Sequence, residues 1–142
     1  MPGMDNFAGT VISVILVAIC VTIHYEILKA LSSRAHRPGR HRRLILGTMY
    51  SALIAHIIEI WIFGAGYWLA VEKLGLGTIV GIKDPFDFVY YSAMVYTTVG
   101  FGDLIPDGPI RMISSTEALV GLAMITWSAS FTYLQMTRVW RD

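Results

Sequence analysis

The stretch Thr97-Thr98-Val99-Gly100-Phe101-Gly102-Asp103 decides how the rest of the chain is read. Gly100 and Gly102 alternate with residues that carry side chains, and glycine enters backbone conformations that a Cβ forbids. Successive residues of an ordinary strand point to opposite sides. Two glycines at this spacing release that alternation, so the carbonyls of Thr98, Val99, Gly100 and Phe101 can all face one axis, with the Thr98 hydroxyl at the inner end. Val99 then points away from the axis and packs.

The flanks set this loop in a membrane. Asp84-Pro85-Phe86-Asp87 reads as a helix start, with Asp84 as N-cap, Pro85 at the first helical position and Asp87 near the free amides. The helix that follows, residues 86–97, is too short to cross a bilayer and suits a re-entrant segment whose partially negative end faces the loop. Pro106, Gly108 and Pro109 then make a turn before another apolar helix. With these flanks, residues 98–103 follow the signature T-V-G-Y-G-D, and the chain resembles the potassium channel pore-loop family over about residues 44–137. The resemblance implies rings of carbonyl oxygens that replace the hydration shell of K⁺ at Thr98, Val99, Gly100 and Phe101, supported by Thr97, Gly102 and Asp103. Phe101 stands where the family has Tyr. It keeps the carbonyl and lacks the phenol hydroxyl that would brace the filter from behind.

Composition supports a membrane protein independently: hydrophobic residues make up 55% of the chain and charged residues 15%, with a mean hydropathy of +0.59. The single cysteine, Cys20, excludes a disulfide framework or a Cys-based metal site within the chain. Residues 7–30, 44–70 and 109–137 each reach the ~20 residues needed to span the hydrocarbon core. The first lacks a basic n-region and is too long for a signal peptide, so it is expected to be retained. Lys29, Arg34, Arg37, Arg40, Arg42 and Arg43 crowd the first connection and Arg138 and Arg141 follow the third helix, whereas the second connection holds only Lys73, Lys83 and Arg111. By the positive-inside rule the N-terminus lies outside and the C-terminus in the cytoplasm, which puts the re-entrant loop on the outer side of the cell membrane.

One such loop cannot enclose an ion, and the chain has no internal repeat, so a fourfold homotetramer is expected. The expected fold is an all-α membrane protein with three transmembrane helices and a re-entrant pore helix and filter. Residues 1–43 supply an extra N-terminal helix and a basic cytoplasmic loop, and residues 44–142 the pore domain: outer helix 44–70, pore helix 86–97, filter 98–103 and inner helix 109–137.

In the inner helix, Gly121 falls about where the family places its gating glycine; a bend there and close helix packing are equally good readings. Ile125, Trp127, Ser128, Phe131 and Leu134 are candidates for an inner constriction. In the outer helix Gly47, Ser51 and Ala55 form a face of small residues that Glu59 continues, with His56 as its neighbour three residues back. An acid at that depth avoids lipid. Glu117 lies within about a turn of the same depth, so His56, Glu59 and Glu117 are expected to form a buried network behind the pore helix. His24, His56 and Glu59 also suit a metal site or a proton relay. Counted from the basic helix ends, however, His24 and His56 differ in depth by ~10 Å, which favours structural bracing and leaves His24 with Glu26 and Lys29 near the inner interface. Trp61, Tyr67, Trp68 and Trp140 suit interfacial anchoring.

Arg34, Arg37, Arg40, Arg42 and Arg43 fix topology and can also meet anionic lipid headgroups. Neither a nucleotide loop nor a nucleophile constellation suggests an enzyme, and no cofactor is expected beyond K⁺ as permeant ion. The function that follows is passive, K⁺-selective conduction. The competing reading is a channel-like sensor or assembly subunit whose filter conducts poorly or not at all.

Overall fold

The computed structural model describes residues 2–34 and 41–139. Its elements run α1 (Pro2–Arg34), α2 (His41–Trp68), a π-helical turn (Leu69–Lys73), β1 (Thr78–Val80), α3 (Phe86–Tyr96), β2 (Ile105–Asp107) and α4 (Ile110–Val139). The long helices follow from apolar runs without internal proline, and each is ended by a break in that pattern. Arg37 and Arg40 lie outside the described residues, as do Trp140 and the side chains of Arg34 and Arg42; Arg43 is described and exposed.

α3 starts as its sequence demands. The Asp84 carboxylate accepts the Phe86 N–H at 2.8 Å, and Asp87 reaches back to the N–H groups of Asp84 and Lys83 at 3.1 and 2.7 Å. This reciprocal arrangement is a capping box with aspartate at both ends. The two backbone donors hold the Asp87 carboxyl below the usual carboxylate range.

The chain is not purely helical. β1 and β2 pair antiparallel, with Thr78 opposite Asp107, Ile79 opposite Pro106 and Val80 opposite Ile105, and the Ile110 N–H donates to the Leu76 carbonyl at 2.9 Å. This ribbon ties the segment before α3 to the segment after residues 98–103, so both ends of the α3 and loop unit are anchored at one place.

α3 packs between α2 and α4, and α1 lies against both α2 and α4. One core cluster joins Leu16 and Cys20 of α1, Phe63 and Tyr67 of α2, Phe88 and Tyr91 of α3, and Ile110 and Ile113 of α4. A second, around Tyr96, Val120 and Met124, fills the space at the C-terminal end of α3. The buried face of α2 carries Thr48, Ala52, Ala55, Glu59, Phe63 and Tyr67. Gly47, expected on that face, has nothing near it and is exposed.

Two stretches, Met4–Ser33 and Arg43–Lys73, are long and apolar enough to cross a membrane. α4 is long enough at 30 residues but less apolar than these two. Ser114, Ser115, Thr116, Glu117, Thr126, Ser128 and Ser130 lower its hydropathy.

Candidate functional site

The loop after α3 has an alternating backbone. Thr98, Gly100 and Gly102 take φ of +59°, +52° and +79°, and Thr98 is the one residue other than glycine in that region among the described residues. A threonine there is strained. It is held by N–H bonds back into the end of α3: Thr97 to Ala93 O at 3.1 Å, Thr98 to Val95 O at 2.9 Å and Gly100 to Met94 O at 3.1 Å. The Thr97 hydroxyl also bonds Ala93 O at 2.7 Å.

Val99 and Phe101 are 55% and 71% exposed in the single chain. Val99 was expected to pack, but its own pore helix offers it no surface. Phe101 carries no phenol, and a different side chain of α3, Tyr90, donates to the Asp103 carboxylate at 3.0 Å. Sequence reading missed Tyr90; its position one turn into α3 was the available signal.

Behind the loop, α3 is tied to its neighbours by two buried acids. Glu117 of α4 accepts hydrogen bonds from Tyr67 of α2 and, at 2.5 Å, from Ser92 of α3, whose hydroxyl also lies 2.8 Å from the Ile60 carbonyl. Tyr67, expected at the interface, is fully buried for this purpose. Tyr91 adds a bond to Ser114 at 2.7 Å.

Glu59 accepts from Tyr96, the last residue of α3, while His56 Nδ1 lies 2.9 Å from the Tyr96 hydroxyl and 3.4 Å from Glu59 Oε2. The expected network of His56, Glu59 and Glu117 is thus two clusters, anchoring α3 at Ser92 and at Tyr96, with no hydrogen bond between the acids among the described residues. The Glu59 cluster takes in a residue that sequence reading set elsewhere. His24 is fully buried, with Nδ1 2.8 Å from Glu59 Oε1 and Nε2 3.1 Å from the Ser128 hydroxyl of α4. Counting residues failed because α1 continues to Arg34, and because helical side chains lean toward their own N-terminus. On helices of opposite direction, that lean brings His24 and Glu59 toward each other.

Gly121 lies where α4 crosses the end of α3: a Cβ there would sit 2.8 Å from the Tyr96 carbonyl carbon and 2.9 Å from its Cα. Of the residues named for an inner constriction, Trp127 stacks near His24 and Tyr25 of α1 at 5.5 and 6.4 Å, and Ser128 is buried. Ser128 faces the chain's own helices, whereas Trp127 touches α1 along one edge and is otherwise exposed. Ile125 and Leu134 are exposed and Phe131 is half-buried. The buried stripe Ile110, Ile113, Ser114, Glu117, Gly121, Met124, Ser128 and Gln135 leaves Leu119, Ala123, Thr126, Ser130 and Tyr133 on the opposite, exposed side.

A short helix that ends at a glycine-alternating loop, held between two long helices, is the arrangement of a pore-loop ion channel. A family model described as an ion channel matches residues 44–138, well over half of the chain, and the chain belongs to that family. The inward rectifier potassium channel Kirbac3.1 of Paramagnetospirillum magnetotacticum is 32% identical over 73 residues, 49% of this chain and 25% of that protein. The chain therefore spans about a quarter of the length of this curated relative. Both matches point to an ion channel. No solved structure matches.

Proposed function

We propose that the protein is a homotetrameric, K⁺-selective channel that conducts passively through a fourfold pore lined by residues 97–103. The observation that carries this reading is the alternation of positive φ at Thr98, Gly100 and Gly102. It turns carbonyls that would alternate in a strand toward one side, which suits four-copy oxygen rings at Thr98, Val99, Gly100 and Phe101. The C-terminal end of α3 adds negative potential at the inner mouth. Thr97 and Gly102 hold the loop's ends, and Asp103, fixed by Tyr90, holds it open from behind.

In this assembly α1, α2 and α4 all cross the membrane, with the N-terminus outside and the C-terminus in the cytoplasm. α4 is the inner helix, and Leu119, Ala123, Thr126 and Ser130 face water below the filter, in keeping with its lower hydropathy. Val99 gains in the tetramer the packing it lacks in one chain. Arg34, Arg37, Arg40, Arg42 and Arg43 meet the anionic cytoplasmic leaflet.

Purified protein in liposomes tests this by ion flux under a K⁺ gradient and then an equal Na⁺ gradient. Flux with K⁺ alone, lost in Gly102→Ala, is the expected result. A tetramer that inserts normally yet passes neither ion would instead mark the non-conducting sensor or assembly subunit.

A further inference from the structure

His24, His56 and Glu59 come together although the conduction pathway makes no use of them. One ligand-capable atom from each, a ring nitrogen of either histidine and an oxygen of the Glu59 carboxylate, all lie within 4.8 Å of one another. The closest pairs are 2.8 Å for His24 with Oε1 and 3.4 Å for His56 with Oε2. Ligands of a tetrahedral Zn²⁺ stand roughly 3.3 Å apart, given Zn–N and Zn–O bonds near 2.0–2.1 Å. The two histidines approach different oxygens of the one carboxylate, at 2.8 and 3.4 Å, and the whole set lies within 4.8 Å, so side-chain rotation alone can draw three donors around one ion.

We infer that these three side chains form a binding site for a divalent transition metal of the Zn²⁺ type, joining α1 to α2 inside the membrane-embedded part of the chain. Four features support it. Two imidazoles and one carboxylate are a donor set that suits Zn²⁺. His24 is oriented by its second ring nitrogen, which bonds Ser128, so Nδ1 faces the site, as the outer partners of metal-bound histidines arrange. The Glu59 carboxylate is fully buried, and the two histidines are its only ion-pair partners among the described residues. Finally, the site has an approach: His56, Tyr96 and Ser128 line an open cavity of about 670 Å³ between α2 and α4. His56 is on its wall, where it has room to turn, and the Tyr96 hydroxyl is at hand as a further oxygen.

His24, on α1, and Tyr96, at the foot of the filter, are then fixed around one ion, giving the first helix a direct hold on the pore.

Tag-free full-length protein in detergent is titrated with ZnCl₂ by calorimetry, in a background with His36 and His41 changed to Gln; Co²⁺ substitution, read by its visible d–d bands, reports geometry. The expected result is one Zn²⁺ per chain, lost or weakened at least a hundredfold in His24→Gln and in His56→Gln. Ser128→Ala should weaken it by about tenfold to a hundredfold by freeing the His24 ring. Because these substitutions keep the Glu59 side chain, folding is checked by tetramer retention on size exclusion. Absence of stoichiometric binding in this background overturns the site. So does binding that survives both histidine changes, or that vanishes with removal of His36 and His41. The readout is metal binding, so it stands or falls apart from K⁺ conduction.

Discussion

At Gly100 and Gly102, φ values of +52° and +79° leave an alanine strained, although no atom of the single chain obstructs a Cβ at either position. Gly100→Ala and Gly102→Ala are therefore expected to abolish K⁺ conduction or discrimination while membrane insertion and expression stay normal, as measured by flux and by membrane fractionation. Gly121 fails for the opposite reason. Its backbone conformation is helical, but a Cβ would run into the Tyr96 backbone, which cannot swing aside as a side chain can. Gly121→Ala should cost about 1–3 kcal/mol, the range for overpacking, read as a lower thermal midpoint of the tetramer; a midpoint equal to wild type would remove the packing role. These glycines were conspicuous in the sequence because a filter motif is local, six neighbouring residues whose backbone chemistry needs no tertiary context. His24 was not legible in the same way. Its partners lie 35 and 104 positions away, and only the lean of side chains on neighbouring helices brings them together.

The pore helix depends on its caps and its ties. Asp87 has its carboxyl pKa lowered by the Lys83 and Asp84 amides, so its stabilising effect is complete above the ordinary carboxylate range near pH ~4 and is lost as pH falls through the depressed folded value. The difference in thermal midpoint between wild type and Asp87→Ala should accordingly be flat from neutral pH down to about 4 and shrink only below it; a difference that instead vanishes near pH 6 would assign the effect to another group. Deeper in, Tyr67→Phe removes one interhelical bond to Glu117, which in membranes is worth about 0.6–2 kcal/mol. Denaturation in mixed micelles measures this loss, and no loss would mean that Ser92 alone holds the acid. The start of α3 was readable from Asp84, Pro85 and Asp87 because capping acts over one turn. The ribbon between β1 and β2 was not, since Thr78–Val80 and Ile105–Asp107 are too short to show a period. The face of α4 could not be read either, with apolar and hydroxyl residues spread around it; burial alone separates the stripe through Gly121 and Ser128 from the one through Thr126 and Ser130.

Across the whole molecule, α2, α3 and α4 form the unit that the family match covers, and α1 packs on its flank through Leu16, Cys20 and His24. The single chain leaves Val99, Phe101 and one side of α4 uncovered; in the proposed tetramer further copies of the chain would cover them. The central claim is that this assembled pore passes K⁺ and rejects Na⁺. It is tested most directly by the reversal potential of currents through purified protein in a planar bilayer with KCl on one side and NaCl on the other. A reversal potential displaced far from zero, in the direction of preferred K⁺ flow, and collapsing toward zero in Gly100→Ala, is the predicted result; currents that reverse near zero in the wild type would contradict it.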